Sequence, residues 1–138
     1  MSRMKQAIED VKVLKTIVSP AQLNVIGHAV RGEERDFFFD KLSELATTFN
    51  TMPKSYEQDG KGDDAIVYLH YFKGNADWYI TEKDMEDEQH QAFGYCDLGM
   101  GCPELGYVSL IELAQCGVDL DMYWTPKTLR EVKAERNK

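Results

Sequence analysis

Basic residues are scarce in this 138-residue chain: 16 lysines and arginines stand against 24 aspartates and glutamates, for a formal net charge of -8. A surface of that sign repels phosphate backbones and anionic membrane surfaces, which disfavours direct nucleic-acid binding and favours a protein partner with a basic surface. Cysteine is equally sparse. Cys96, Cys102 and Cys116 are odd in number and too few for a disulfide scaffold, as expected of free thiols in a reducing compartment. No apolar run approaches the roughly 20 residues of a membrane span. The opening MSRMKQAIEDVK carries acids where a signal peptide would have its hydrophobic segment, so the expectation is a cytoplasmic protein with no membrane partner. Internal repeats, low-complexity tracts and nucleotide, phosphate or metal signatures are all missing, and no cofactor is expected.

What is present is enough apolar material for a core, with 43% hydrophobic and 29% charged residues. A chain of this length buries roughly two-thirds of its unfolded surface, and the expected organisation is one domain over 1–138. Residues 1–51 read as a helical part. Met4, Ala7, Ile8, Val11, Leu14 and Val18 recur at three- and four-residue steps, one stripe of a helix expected to dock on the body. Ser19-Pro20-Ala21-Gln22 predicts a second helix, with Ser19 as N-cap, Pro20 in the first position and Gln22 closing a capping box. A third begins near Glu33, presents Phe38, Leu42, Leu45 and Phe49 on one face and ends at Pro53.

Residues 52–138 read as strand-rich. Met52 to Asp64 is polar and predicts a surface loop, and Ala65 to Phe72 (AIVYLHYF) reads as a central strand covered on both faces. Lys73-Gly74-Asn75 predicts a hairpin turn into a return strand, Ala76 to Thr81, with Trp78 and Ile80 on one face and Asp77, Tyr79 and Thr81 on the other. Lys83 to Gln91 is an acidic excursion. Strands at 92–98 and 105–108 flank a glycine-rich turn, Ser109 to Glu112 opens a short helix, Asp121 to Trp124 forms a last strand, and Thr125-Pro126 caps a closing helix. The fold class expected is α+β: an antiparallel sheet of four to five strands with N-terminal helices and two C-terminal helices packed on it.

Several constellations could carry chemistry. Asp97 and Glu104, on either side of the glycine-rich turn, could form an acid–base pair or share a divalent cation in a small hydrolase acting on a nucleotide or phosphoester. The plainer alternative has Asp97 capping the amides of Gly99 to Gly101 and Glu104 paired or solvated. Cys96 and Cys102 with His70 or His90 offer zinc-ligand atoms at a poor spacing, and Cys96 reads equally as a small buried hydrophobe and His70 as a core or cross-strand histidine. Aromatic residues including Trp78, Tyr79, Tyr95, Tyr107 and Trp124 raise a single-strand stacking reading that lacks its basic groove. Glu82, Asp84, Glu86, Asp87 and Glu88 form an acidic run that imitates phosphate spacing or simply solvates a loop. Asp77, Tyr79 and Tyr107 are expected to face outward. With the acidic run, Asp97 and Glu104, they make up the surface expected to bind a protein, with no catalytic role.

Four motifs in order, DWYITE at Asp77 to Glu82, CDLG at Cys96 to Gly99, PELGYVSL at Pro103 to Leu110 and YWTP at Tyr123 to Pro126, give a specific resemblance. From Met52 to about Val132 the chain resembles the bacterial and mobile-element family known as domain of unknown function 2958. The resemblance implies no agreed activity. It implies a setting on plasmids, phages and other mobile elements, beside helicase- or methylase-like proteins, and hence a role in DNA metabolism or against host defence.

Overall fold

The computed structural model describes residues 2–84 and 91–136. Three helices come first: α1 (Arg3–Leu14), α2 (Pro20–Ala29) and α3 (Arg35–Thr51). The stripe expected of α1 is rotated. Ala7, Asp10 and Leu14 are buried against α3, while Met4 and Ile8 stay exposed along a groove shared with Leu23, Ile26 and Val30 of α2. Ser19 caps α2 as predicted, its Oγ accepting from the Gln22 amide at 3.2 Å. Gln22 does not reach back to close the box. Its Oε1 accepts from Leu120 N at 2.9 Å and its Nε2 donates to Leu120 O at 2.6 Å, tying α2 to the far end of the chain. Helix α3 buries Phe39, Leu42, Leu45, Ala46 and Phe49 and stops at Thr51, ahead of Pro53.

The remaining elements are β1 (Ile66–Val67), β2 (Leu69–Lys73), β3 (Ala76–Lys83), β4 (Gln91–Asp97), β5 (Glu104–Ser109), α4 (Leu110–Gln115), β6 (Asp119–Leu120), β7 (Lys127–Thr128) and α5 (Leu129–Arg136). The architecture is α+β, with a five-stranded antiparallel sheet in the order β5-β4-β3-β2-β6 and a separate β1-β7 pair. The hairpin forms at the expected place, Lys73 opposite Ala76, and Gly74 turns with a positive φ of 58°. Ser109 caps α4 through the Glu112 amide, also as predicted.

Four local expectations fail. The run Ala65 to Phe72 is two strands divided at Tyr68, and β3 occupies the centre of the sheet. Where the ladder breaks, Gln58 fills in: its Oε1 accepts from Ile66 N and its Nε2 donates to Ile66 O and Thr81 O. The polar segment before it is therefore no simple surface loop, since Gln58 is buried and Lys54 bridges to Lys83. Asp121 to Trp124 is a turn in which Asp121 accepts from Tyr123 N, and pairing falls instead on Asp119–Leu120 and Lys127–Thr128. Helix α5 is opened by Thr128 and not Thr125. Thr128 and Glu131 each accept from the other's backbone amide, a reciprocal capping box.

One sheet face, with Leu69, Tyr71, Ile80 and Ala92, joins the main core beneath the helices, and Tyr71 donates its buried hydroxyl to Ile17 O at 2.7 Å. The opposite face carries a smaller cluster of Val67, Tyr79, Leu129 and Val132. A register shift between Ile80 and Glu82 lets β3 change which residues face each side. Lys83 then enters the main core, where its ammonium donates to Phe49 O and lies 4.3 Å from the Phe49 ring; burial lowers its pKa.

Strands β3 and β4 approach closely at Gly94, where a Cβ would stand 2.1 Å from Tyr79 O. Gly106, in the neighbouring strand, has nothing within 4 Å of that position. Gly94→Ala is therefore expected to cost about 3 kcal/mol or more, and Gly106→Ala less than about 1 kcal/mol. Urea denaturation of both variants checks this; equal midpoints would refute the close approach.

Candidate functional site

Two groups of polar and aromatic side chains lie on the face opposite the helical core. The first surrounds Arg136, the last described residue of α5. Cross-strand pairing sets Asp77 directly opposite Asp97 and Tyr79 opposite Tyr95. Two carboxylates so placed repel one another unless a cation lies between them. Arg136 supplies it, with one nitrogen donating to Asp77 Oδ2 at 3.0 Å and to the Tyr79 hydroxyl at 2.9 Å, and the other donating to Asp97 Oδ2. The second Asp97 oxygen accepts from Gly99 N at 2.9 Å, the turn cap foreseen from sequence.

His70 extends the chain of charges. Its Nε2 is 2.8 Å from Asp77 Oδ1 and its Nδ1 3.0 Å from Asp121 Oδ2, contacts that are both hydrogen bonds when both nitrogens carry protons. The ring stacks on Tyr79 at 4.7 Å, and Trp124 Nε1 donates to Val67 O at 3.0 Å beside it. Burial raises the Tyr79 pKa, its hydrogen bond from Arg136 opposing the shift. Asp121, His70, Asp77, Arg136 and Asp97 thus form one continuous hydrogen-bonded line. His70 reads from sequence as a core residue; its role between two acids 51 and 7 positions away had no local signal.

This geometry corrects several expectations. Tyr79 is 6% exposed and Asp97 9% exposed, so neither faces outward, and Asp77 is half-buried and engaged on both oxygens. Cys96 pairs with Glu104 across β4 and β5, which places Glu104 on the face opposite Asp97 by strand alternation. The Asp97–Glu104 pair is not assembled. Among the described residues no group of three His, Cys, Asp or Glu is arranged to hold a metal ion. Of the acidic run, Glu86, Asp87 and Glu88 lie outside the described residues, as does His90. Glu82 belongs to β3 and is buried, while Asp84 is half-buried.

The second group lies around Glu82. The backbone amides of Tyr56 and Gln58 favour its charged form, and Phe93 and Tyr107 meet edge to face at 5.1 Å beside it. Tyr107 donates to the Tyr56 hydroxyl at 3.3 Å. Burial raises the Glu82 pKa, the two backbone amides oppose it, and the charges of Asp59 and Glu57 add to the rise. Tyr107 is exposed as expected. It continues into a row of exposed apolar residues, Leu105, Leu98 and Met100, along β5 and its turn.

A family model described as a protein of unknown function, DUF2958, matches residues 40–127, more than half of the chain. The chain belongs to the DUF2958 family. The match begins inside α3 and ends in β7, so the sheet, His70, Asp77, Asp97 and Asp121 lie within the DUF2958 segment, whereas Arg136 lies beyond it. Comparison with curated proteins and with solved structures finds no match.

Arg136→Met leaves two opposed carboxylates without their shared cation, and a loss of about 2 kcal/mol is expected by chemical denaturation. Arg3→Met, which breaks an exposed pair with Asp40, should change stability by no more than about 0.5 kcal/mol. Similar losses for the two would refute the structural role of Arg136. A pH test follows from Glu82. At low pH both folded and unfolded states hold its proton, so burial adds no ionisation cost. As pH rises through the raised folded pKa, the unfolded state ionises more readily and stability falls. Glu82→Gln should therefore gain on the natural protein as pH rises above the ordinary carboxylate range, measured as the difference in unfolding free energy. A constant difference would exclude the raised pKa.

Proposed function

We propose that the protein is a non-catalytic accessory or inhibitor protein of a phage- or plasmid-type mobile element. It acts in the cytoplasm by binding a basic surface on a DNA-handling or defence enzyme. The observation that carries this reading is the outer edge of β5. This strand ends the sheet, and its outer side has no strand partner among the described residues. Unpaired backbone groups there can add a strand from another chain, while exposed side chains choose which chain is added. Leu105 is 55% exposed, Tyr107 56%, Tyr56 73% and Met100 79%, and the carboxylates of Glu104 and Asp59 stand nearby in exposed positions. Aromatic and aliphatic anchors beside acids suit a basic protein surface, the anchors supplying affinity and the charges steering approach.

The internal charges point the same way. Asp77 and Asp97 are engaged with Arg136, and of the expected binding residues among those described, Glu104 and Tyr107 of β5 are the exposed ones.

A tagged pull-down from the native host, with and without nuclease, tests the reading. One stoichiometric protein that survives nuclease is expected. A Leu105→Lys, Tyr107→Ala double variant should weaken its capture about tenfold. Capture unchanged in the variant, or recovered nucleic acid in place of protein, would overturn the proposal.

A further inference from the structure

Ser55, Tyr56, Asp59, Glu82, Phe93 and Tyr107 line a cavity of about 90 Å³ beside the β5 edge. Its walls are of two kinds. Three aromatic rings supply negative π faces, with Phe93 and Tyr107 edge to face and Tyr56 joined to Tyr107 through their hydroxyls. Glu82 and Asp59 supply carboxylates, and Glu57 adds its charge to the same field.

The cavity differs from the Arg136 cluster in one decisive respect. Asp77 and Asp97 share the Arg136 guanidinium and Asp121 is held by His70, whereas none of the ion pairs among the described residues involves Glu82, Asp59 or Glu57. Two carboxyl groups line the aromatic hollow with a third nearby, and Glu82 sits there at 5% exposure. Tyr56 is held over this hollow with φ at 73°, the one non-glycine residue of positive φ among those described. A left-handed tyrosine is an uncommon conformation, set here in a turn closed by Glu57 N donating to Lys54 O and Asp59 N donating to Tyr56 O.

An aromatic hollow with carboxylates and no cation of its own is complementary to an alkylammonium group, which gains from ring faces and acids together. We propose that this cavity is a binding site for a lysine side chain of the partner protein, its ammonium seated against Glu82 and Asp59 and its methylenes against Tyr56, Phe93 and Tyr107. The identity of the donor as a protein lysine rests on the binding role proposed above. The chemistry of the cavity does not.

The test is a titration of the isotope-labelled full chain with Nα-acetyl-lysine methylamide, followed by amide chemical shifts, against the norleucine analogue, which keeps the chain and lacks the ammonium. Saturable shifts confined to the amides around Tyr56, Asp59, Phe93 and Tyr107 are expected with the lysine compound alone. Glu82→Gln, which retains a carbonyl acceptor for the two amides, should weaken the response about fivefold or more, and Asp59→Asn, at an exposed position, should also weaken it. Equal response to norleucine, no saturable response, or a lysine response unchanged in both variants would overturn the proposal. These outcomes are independent of the pull-down. Lysine-dependent binding with no captured protein would uphold the cavity and count against the proposed function only, and a captured partner with a silent cavity would do the reverse.

Discussion

The structure depends on the cation placed between two opposed aspartates. Asp77 and Asp97 face one another across the two central strands, and like charges at that spacing would push the strands apart. The guanidinium that joins them comes from an eight-residue helix, too short to persist without tertiary contacts. Helix and sheet therefore need each other. Arg136 bridges the two acids, and in docking α5 lays Leu129 and Val132 over Tyr79 and Val67, closing the second face of the sheet. His70 and Asp121 continue the same line toward the turn that carries Trp124.

A chain with excess acid thus divides its carboxylates into two populations. Those of the Arg136 line are half-buried or buried and engaged by Arg136 and His70, so they are tied into the fold. Those around Tyr56 and the β5 edge are gathered without a cation, next to exposed aromatic and aliphatic residues. Net charge alone does not distinguish the two. What separates them is whether the fold delivers a cation to that particular spot, and α5 delivers its cation to only one of the two groups.

Much of the fold was legible where the signal was local. The Lys73-Gly74-Asn75 turn, the Ser19 and Ser109 caps and the α+β class all follow from residues within a few positions of one another. The family resemblance was legible too, although the matched segment starts twelve residues before Met52 and stops short of Val132. Readings failed where a distant group intervened. Tyr68 interrupts an apolar run because Gln58 takes over the pairing of Ile66, and Gln22 leaves its own helix cap for Leu120, 98 positions away. Asp97 and Glu104 looked like facing acids across a turn, but the register of β4 against β5 sends them to opposite faces.

By itself the sequence determined the hydrophobic periods, the caps, the turns and the surplus of negative charge, because each depends on covalent neighbours and short-range hydrogen bonding. Only the tertiary structure decided which acids are neutralised. Strand register and the docking of α5 bring together residues up to 70 positions apart in ion pairs, and no pattern within a local window encodes which carboxylate a distant guanidinium or ammonium will reach.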